Sequence, residues 1–388
     1  MKIALFGHFM YQLAVGLRAL PGVEVMLFLD SRTIPHCLKD QEFLDDTDFV
    51  HIEPWVTWQG IVFPNSTKLS SVFKNFDVAL VTDLGPIFAR SAGIPYFIIP
   101  SGTDVTQLPF PFRSWSARPR GPRDLFGFVI AVRMRKALRS ANDVWPSGPF
   151  SPWLLAAKRL GMSFDTFLPQ AIDTELFSPV YRTPANDPTS NRLTIFHPNR
   201  ILFNRRRCLV ESGGSMMNDL LFEGFARAVG RGVDAWLVLI ERESSWEQEE
   251  ARRILAELGV GNRVSWLEPD DRAGFTWAEM PKQYNASDIV VSGFAGWTAL
   301  VSLEGAACGK PVITNLEPHA MEAISSEGNP FVQASTIEEI EEAIVMLAAP
   351  LQRESIGQAS RKWMIDNYDR ERVAQRCLAL LVANGFDT

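Results

Sequence analysis

The chemistry best supplied in this sequence is anion binding, and the supply is concentrated in residues 285–314. An apolar strand pattern at 288–291 runs into a loop of small residues, Ser292-Gly293-Phe294-Ala295-Gly296, and a helical pattern opens near Thr298. The first turn of a helix leaves backbone N–H groups without partners, and the aligned peptide dipoles favour negative charge there. Glycines allow a phosphate to approach the backbone closely. Gly296, Trp297, Thr298, Ala299 and Leu300 are therefore the candidate phosphate-binding residues. Glu304 falls about a turn and a half further on, among apolar Leu303, Ala306 and Ala307. A carboxylate buried there without a partner is costly. A ribose diol donating two hydrogen bonds would satisfy it; the competing reading is an ordinary solvated helix glutamate.

Further candidates sit where other strand patterns end. Gly7-His8 follows a strand at 2–6. His8 has the chemistry of a general base, although a structural histidine at a helix start is the simpler account. Asp46-Thr47-Asp48 has the D-x-D form of a metal-held diphosphate site, but it precedes a strand and lies in an acidic run, so chance explains it better. His8, His36, His51, His197 and His319 show no chelating spacing, and Cys37, Cys208, Cys308 and Cys377 form no CxxC. No metal and no resident cofactor are expected, and the thiols read as buried and reduced.

Elements must hold these residues, and short apolar runs alternate with helical patterns along the whole chain. Strands are expected at 2–6, 23–29, 77–81, 95–99 and 143–145, then at 193–196, 235–239, 263–266, 288–291 and 311–313, with helices between them, notably at 11–20, 125–140, 219–229, 246–258, 300–308, 337–348 and 370–383. This is the pattern of parallel sheets covered by helices. A polar stretch at 178–191 with three prolines reads as a linker. The expectation is an N-terminal Rossmann-like domain at 1–177, a second at 192–366, and a C-terminal helix at 367–388 packing back on the first. Two such domains would face one another across a cleft between their strand ends.

Composition sets outer limits. Of 388 residues, 46% are hydrophobic and 21% charged, which excludes a disordered chain. The net charge of −7 excludes a bulk nucleic-acid binder. Yet residues 113–139 hold eight Arg and Lys against the single acid Asp124. The apolar run 125–132 joined to Arg133-Met134-Arg135-Lys136 could lie on an anionic bilayer, or be a helix with one basic exposed side. The opening residues have too short an apolar run for a signal peptide, so a cytoplasmic protein is expected, at most peripheral on a membrane.

Four motifs in order carry a resemblance. Residues 285–314 form one. The others are Gln170-Ala171-Ile172-Asp173-Thr174-Glu175-Leu176-Phe177-Ser178-Pro179, His197-Pro198-Asn199-Arg200, and Leu258-Gly259-Val260-Gly261-Asn262-Arg263-Val264-Ser265-Trp266. Together they resemble the retaining, nucleotide-sugar-dependent glycosyltransferases of family 4, which have the GT-B fold. The resemblance implies that Glu304 matches the second member of a Glu-x7-Glu pair, the one on the ribose, while the first falls on Gly296. It implies that Arg200 binds the diphosphate. The lysine that should accompany it is missing, because Met216-Met217 precede Asn218-Asp219-Leu220-Leu221; Arg205, Arg206 and Arg207 nearby are the alternative cations. Gly7-His8 matches the glycine turn beneath the phosphates, and Gly102-Thr103-Asp104 looks like an H-G-S-D segment with Ser101 in place of its histidine. The implied activity is metal-independent sugar transfer with retention, from a nucleotide-sugar donor to an acceptor that is soluble, lipid-linked or a protein. A catalytically silent nucleotide-binding or partner-binding scaffold and a nucleotide-sugar epimerase are the alternatives.

Overall fold

The computed structural model describes residues 1–32, 48–110, 122–180, 192–203, 216–242, 246–270, 274–297, 299–325 and 328–387. Among them are twelve strands in two sheets, every pairing parallel. The first sheet contains β1 (Lys2–Phe6), β2 (Glu24–Asp30), β3 (Val50–Glu53), β4 (Val78–Val81), β5 (Tyr96–Ile98) and β6 (Asp143–Val144), in the order β3-β2-β1-β4-β5-β6. The second contains β7 (Leu193–His197), β8 (Ala235–Ile240), β9 (Val264–Leu267), β10 (Ile289–Val291), β11 (Val312–Thr314) and β12 (Val332–Gln333), in the order β12-β11-β10-β7-β8-β9. Counted within each sheet the order is the same: winding runs one way from the first strand, then reverses at the fourth. Adjacent loops part at that reversal, between β1 and β4 and between β7 and β10, and open α/β sheets hold ligands there.

The strand sequences follow from burial on both faces. Ile3, Ala4 and Leu5 of β1, Val78 to Val81 of β4 and Ile289 to Val291 of β10 are all without exposed surface. A sheet covered by helices on both sides selects unbroken apolar runs of this kind over alternation. In the second unit the helices Asp219–Gly230 and Ile337–Leu347 close over one face, with Leu221, Phe222, Phe225, Ile340 and Ile344 in a common core with β7, β8 and β10. Among the described residues no helix is long and apolar enough to cross a membrane.

Two compact units result: residues 1–171 with 370–388, and residues 172–369. The division departs by a few residues from the expected ends at 177 and 367, for a reason visible at the crossing segment. Ile172 N–H donates to the Tyr368 carbonyl (2.8 Å), the Thr174 hydroxyl donates to Asp369 (2.6 Å), and the Arg361 guanidinium donates to the carbonyls of Thr174, Phe177 and Ala307 at 2.8, 2.9 and 2.9 Å. These bonds assign the segment to the second unit. Of the expected linker only 178–180 is described. Helix Arg370–Ala383 lies against Tyr11–Arg18 of the first unit, with Val373, Ala374, Cys377 and Leu381 buried.

Several elements escape the sequence reading. Helices Gly85–Ala92, Ser151–Leu160 and Pro350–Asn367 and strands β3 and β12 are absent from it. Pro350–Asn367 buries only Gly357, Ser360, Trp363 and Met364, too sparse a set to read as a periodic face. Strand β3 is a half-exposed edge, and β12 has two residues.

Replacing Arg361 by Met keeps the stem but leaves three carbonyls without their donor. Chemical denaturation should show a loss of about 2–4 kcal/mol. The same change at Arg253, whose partners Glu250 and Glu257 are on an exposed helix face, should cost about 0.5 kcal/mol or less.

Candidate functional site

In the second unit, the carboxyl ends of β7 and β10 are tied together by a buried histidine. His197 Nδ1 lies 2.8 Å from the Val291 carbonyl, and Nε2 lies 2.7 Å from Asn218 Nδ2. The carbonyl can only accept and the amide NH2 can only donate, so Nδ1 carries the proton and the ring is neutral. Burial pushes its pKa down to about 4. Asn218 in turn accepts from Leu202 N–H at 2.7 Å, which fixes the turn between them and carries Arg200 to the surface.

A second guanidinium stands beside Arg200. Arg242, at the end of the neighbouring strand β8, reaches the Pro198 carbonyl at 3.4 Å. Burial lowers its hold on its proton, and the positive charge of Arg200 lowers it further. Two cations brought together at adjacent strand ends form a receptor for an anion carrying more than one charge. Arg242 escapes the sequence reading because it sits in a mixed-charge run, Glu241-Arg242-Glu243. Its signal is positional: like Arg200, it follows directly on a strand of the sheet.

The loop after β10 is built as an open turn. Ser302 donates to Ser292 (Oγ to Oγ, 2.6 Å), Thr314 donates to the Gly293 carbonyl (2.9 Å), and Phe294 N–H donates to the Met216 carbonyl (3.0 Å). Gly296 has φ +87°, and a Cβ there would stand 3.3 Å from a Glu317 carboxylate oxygen. Glu317 thus brings a carboxylate to the residue at which the sequence lacks one. Trp297 presents a buried indole N–H with no hydrogen-bond partner among the described residues. The helix begins at Leu300, with Ala299 as an N-cap that has no side-chain bond. An orphaned donor next to an uncapped helix start suits a phosphate.

Glu304 requires a correction. It was expected to offer its carboxylate to a ribose; instead it is 4% exposed, and Tyr284 Oη donates to it at 2.6 Å, with Trp277 bonding it as well. Helix Leu300–Ala307 buries Ser302 through Ala307, so the side chain points into the unit against helix Met280–Ala286. Burial raises its pKa to about 7 against those two bonds. Tyr284 lies 20 residues away, and nothing in the local pattern announces the pairing.

In the first unit the reversal point falls between Gly7 and Asp83. Gly7 has φ +115°, and a Cβ there would meet a Thr82 methyl at 2.0 Å, so only glycine fits. Phe6, Gly7, His8, Asp30, Asp83 and Leu108 are among the residues lining a recess of about 220 Å³. His8 Nδ1 lies 4.0 Å from Asp83 Oδ2, beyond direct bonding, and burial lowers its pKa to about 4. Asp83 has φ +53° and accepts from Ser101 Oγ at 2.7 Å; burial raises its pKa.

Asp104, expected at the donor, is corrected to an internal brace. It has no exposed surface and accepts from Thr82 Oγ1 and from the N–H groups of Asp83, Ser101 and Gly102, holding the ends of β4 and β5 in register. Burial and the Asp83 charge push its pKa up to about 6. Gly102, with φ +131°, starts the short helix that follows.

Arg205, Arg206, Arg207, Thr298, Asp46, Thr47, His36, Cys37 and Cys208 lie outside the described residues. Cys308 and Cys377 are free and buried. Among the described residues no cluster of three His, Cys, Asp or Glu side chains could hold a metal.

The Glu304 carboxyl gives a pH dependence whose sign is fixed. Its folded pKa of about 7 lies above the ordinary 4.5, so its contribution to stability is full below 4.5 and is lost as the pH rises through 7. The permanently neutral Glu304→Gln should gain on the wild type by about 3 kcal/mol over that interval. Urea denaturation at about pH 5 and about pH 8 measures it.

No protein-family model matches the chain, and no curated protein does. Solved structures do. The Anabaena protein HepE, crystallised with UDP and glucose, aligns with a TM-score of 0.65 at 15% identity over 99% of this chain and 100% of that one. A glycosyltransferase from Rickettsia africae gives 0.65 at 15% over 100% and 99%. Sucrose-phosphate synthase from Thermosynechococcus elongatus gives 0.63 at 16% over 99% and 98%. With both units matched from end to end, and each wound in the same strand order, the chain has the GT-B fold of two Rossmann-like domains.

Proposed function

We propose that the chain is a glycosyltransferase that moves a sugar from a nucleoside-diphosphate sugar to an acceptor hydroxyl, with retention at the anomeric carbon, as its likeness to family 4 implies. The observation that carries this reading is the pairing of Arg200 with Arg242 at the ends of β7 and β8. The next strand end, that of β10, adds the orphaned Trp297 N–H and the uncapped helix start. The fold likeness to HepE, whose crystals hold UDP and glucose, supports a donor of the same class.

The second unit holds the donor and the first unit the acceptor. Transfer breaks the bond between the anomeric carbon and the diphosphate oxygen, and forms one from that carbon to the acceptor oxygen. In the retaining reaction the acceptor proton goes to the departing diphosphate. Charge grows on that group, and Arg200, Arg242 and the N–H groups of Gly296, Trp297, Thr298, Ala299 and Leu300 stabilise it without a metal ion. Arg205 and Arg206 are further candidates for the same role. Gly7 and His8, at the end of β1, are further donor-binding candidates, and Gly102 lies in the loop after β5. Glu304, held by Tyr284, positions the helix that presents these N–H groups, and Glu317 stands at Gly296 as a carboxylate for sugar hydroxyls. The acceptor is a hydroxyl compound, soluble, lipid-linked or on a protein.

Titration of UDP into Arg200→Ala and into Arg242→Ala should show affinity reduced by about tenfold or more in each, with the melting temperature little changed. Unaltered UDP affinity in both variants sinks the assignment. With sugar nucleotides supplied singly, the wild type should release nucleoside diphosphate, and proton NMR of the product should show the donor's anomeric configuration. Tight UDP binding with no turnover of any donor would identify a silent scaffold instead.

A further inference from the structure

The segment after β3 leaves two large aromatic rings in water. Trp58 opens helix Trp58–Val62 and is 62% exposed; Phe63 follows that helix directly and is 65% exposed. Single apolar side chains at a surface need no explanation, but two rings lining one hollow do. Both line a recess of about 610 Å³, together with Glu53, Gln59, Ser66 and Lys68. Val56 lines the smaller recess at Gly7 and Asp83, whereas its neighbours Trp55 and Thr57 line this one. The two recesses therefore share the loop after β3, at the carboxyl edge of the first sheet.

The rings stand on a fixed backbone. Asp30 accepts from Val56 N–H, and the Arg32 guanidinium donates to the Val56 carbonyl at 3.1 Å. Arg133 donates to the Val62 carbonyl at 2.8 Å, which ties the far end of the short helix to helix Pro122–Ser140. A platform held at both ends loses little further freedom when a ligand settles on it. Among the described residues, Glu53 and Lys68 are the only charged groups lining the recess, and they cancel. Lys68 Nζ donates to the two Glu53 carboxylate oxygens at 2.5 and 2.7 Å, and lies 5.2 Å from the centre of the buried Trp55 ring. Neutral polar groups are left for a ligand. The Gln59 amide has no hydrogen-bond partner among the described residues, and the Ser66 hydroxyl donates to the Phe63 carbonyl at 2.9 Å, keeping its lone pairs.

We propose that this recess is a carbohydrate-binding subsite that seats a sugar ring of an oligosaccharide against Trp58 and Phe63. A pyranose has a face of weakly positive C–H bonds and a rim of hydroxyl groups. The negative face of an aromatic ring meets the first, and a neutral amide and hydroxyl meet the second. An anion would face the Glu53 carboxylate, with the one lysine of the recess already engaged. An anionic bilayer calls for a basic surface, whereas these rings line a hollow whose charges cancel. The saccharide held here is part of the acceptor, bound beside the recess at Gly7; this last step rests on the transferase reading, and the subsite itself does not.

A glycan array is the probe, read with the labelled full chain in the absence of nucleotide. It should retain the protein on a subset of oligosaccharides, and calorimetry with the strongest of them should show saturable binding. Trp58→Ala and Phe63→Ala should each weaken that binding by about tenfold or more, and Gln59→Ala by less. Trp58→Phe keeps an aromatic face and should stay within about threefold of the wild type. Both rings are more exposed than buried, so circular dichroism and melting temperature should hold in every variant. An array with no retained member, or binding indifferent to Trp58→Ala and Phe63→Ala, overturns the proposal. Retention by phosphatidylcholine vesicles that Trp58→Ala abolishes, in a protein that binds no glycan, overturns it too and identifies a membrane-inserting surface. Glycan binding should be unchanged in Arg200→Ala, which separates this subsite from the donor site. If glycan binding holds while no donor is turned over, the subsite stands and its assignment to an acceptor falls.

Discussion

His197 is the contact on which the arrangement of the second unit turns. A neutral imidazole with one nitrogen on the Val291 carbonyl and the other on Asn218 fastens the ends of two strands and the start of a helix around one ring. Parallel sheets of this winding part at the reversal point, and the parting would leave those polar groups buried without partners. The imidazole closes that gap from inside. It also leaves the outer part of the turn free to project Arg200, and Arg242 follows because β8 runs alongside β7.

The first unit solves the same problem with a carboxylate. Asp104 gathers the backbone of Asp83, Ser101 and Gly102 at the ends of β4 and β5 and is itself sealed from water. Its brace holds Asp83 in a left-handed conformation next to the recess that His8 lines. In both units, then, buried polar side chains serve the loops, and the residues that can meet a ligand are their neighbours. This accounts for the two reassigned acids. Asp104 and Glu304 stand in segments that carry chemistry, yet each carboxylate is consumed by protein donors.

What the sequence discloses and what it withholds divide along physical lines. Strands such as β1 and β10 are legible because burial on both faces demands apolar runs, whereas Arg200 is legible only through the likeness of its turn, residues 197–200, to that of a known family. The open turn at 292–300 is legible from small residues ahead of a helical pattern. Orientation is not. Whether Glu304 faces water or Tyr284 depends on how two helices pack, and no local spacing encodes that choice. Arg242 is concealed by charged neighbours in sequence and becomes visible only when β8 is laid beside β7. The basic stretch shows its charge in the sequence, but Arg159 joins it only through the packing of a second helix, one the sequence reading does not include.

The helix Arg370–Ala383 belongs to the unit that contains β1, although the whole of the other unit intervenes in the chain. During synthesis, the surface of Tyr11–Arg18 that this helix covers therefore stays bare until nearly two hundred further residues have left the ribosome. The second unit has no such wait, being made of one continuous stretch. Order of completion thus runs against order of translation: the part made first is finished last, and in a nascent chain its apolar flank is the surface most in need of a chaperone.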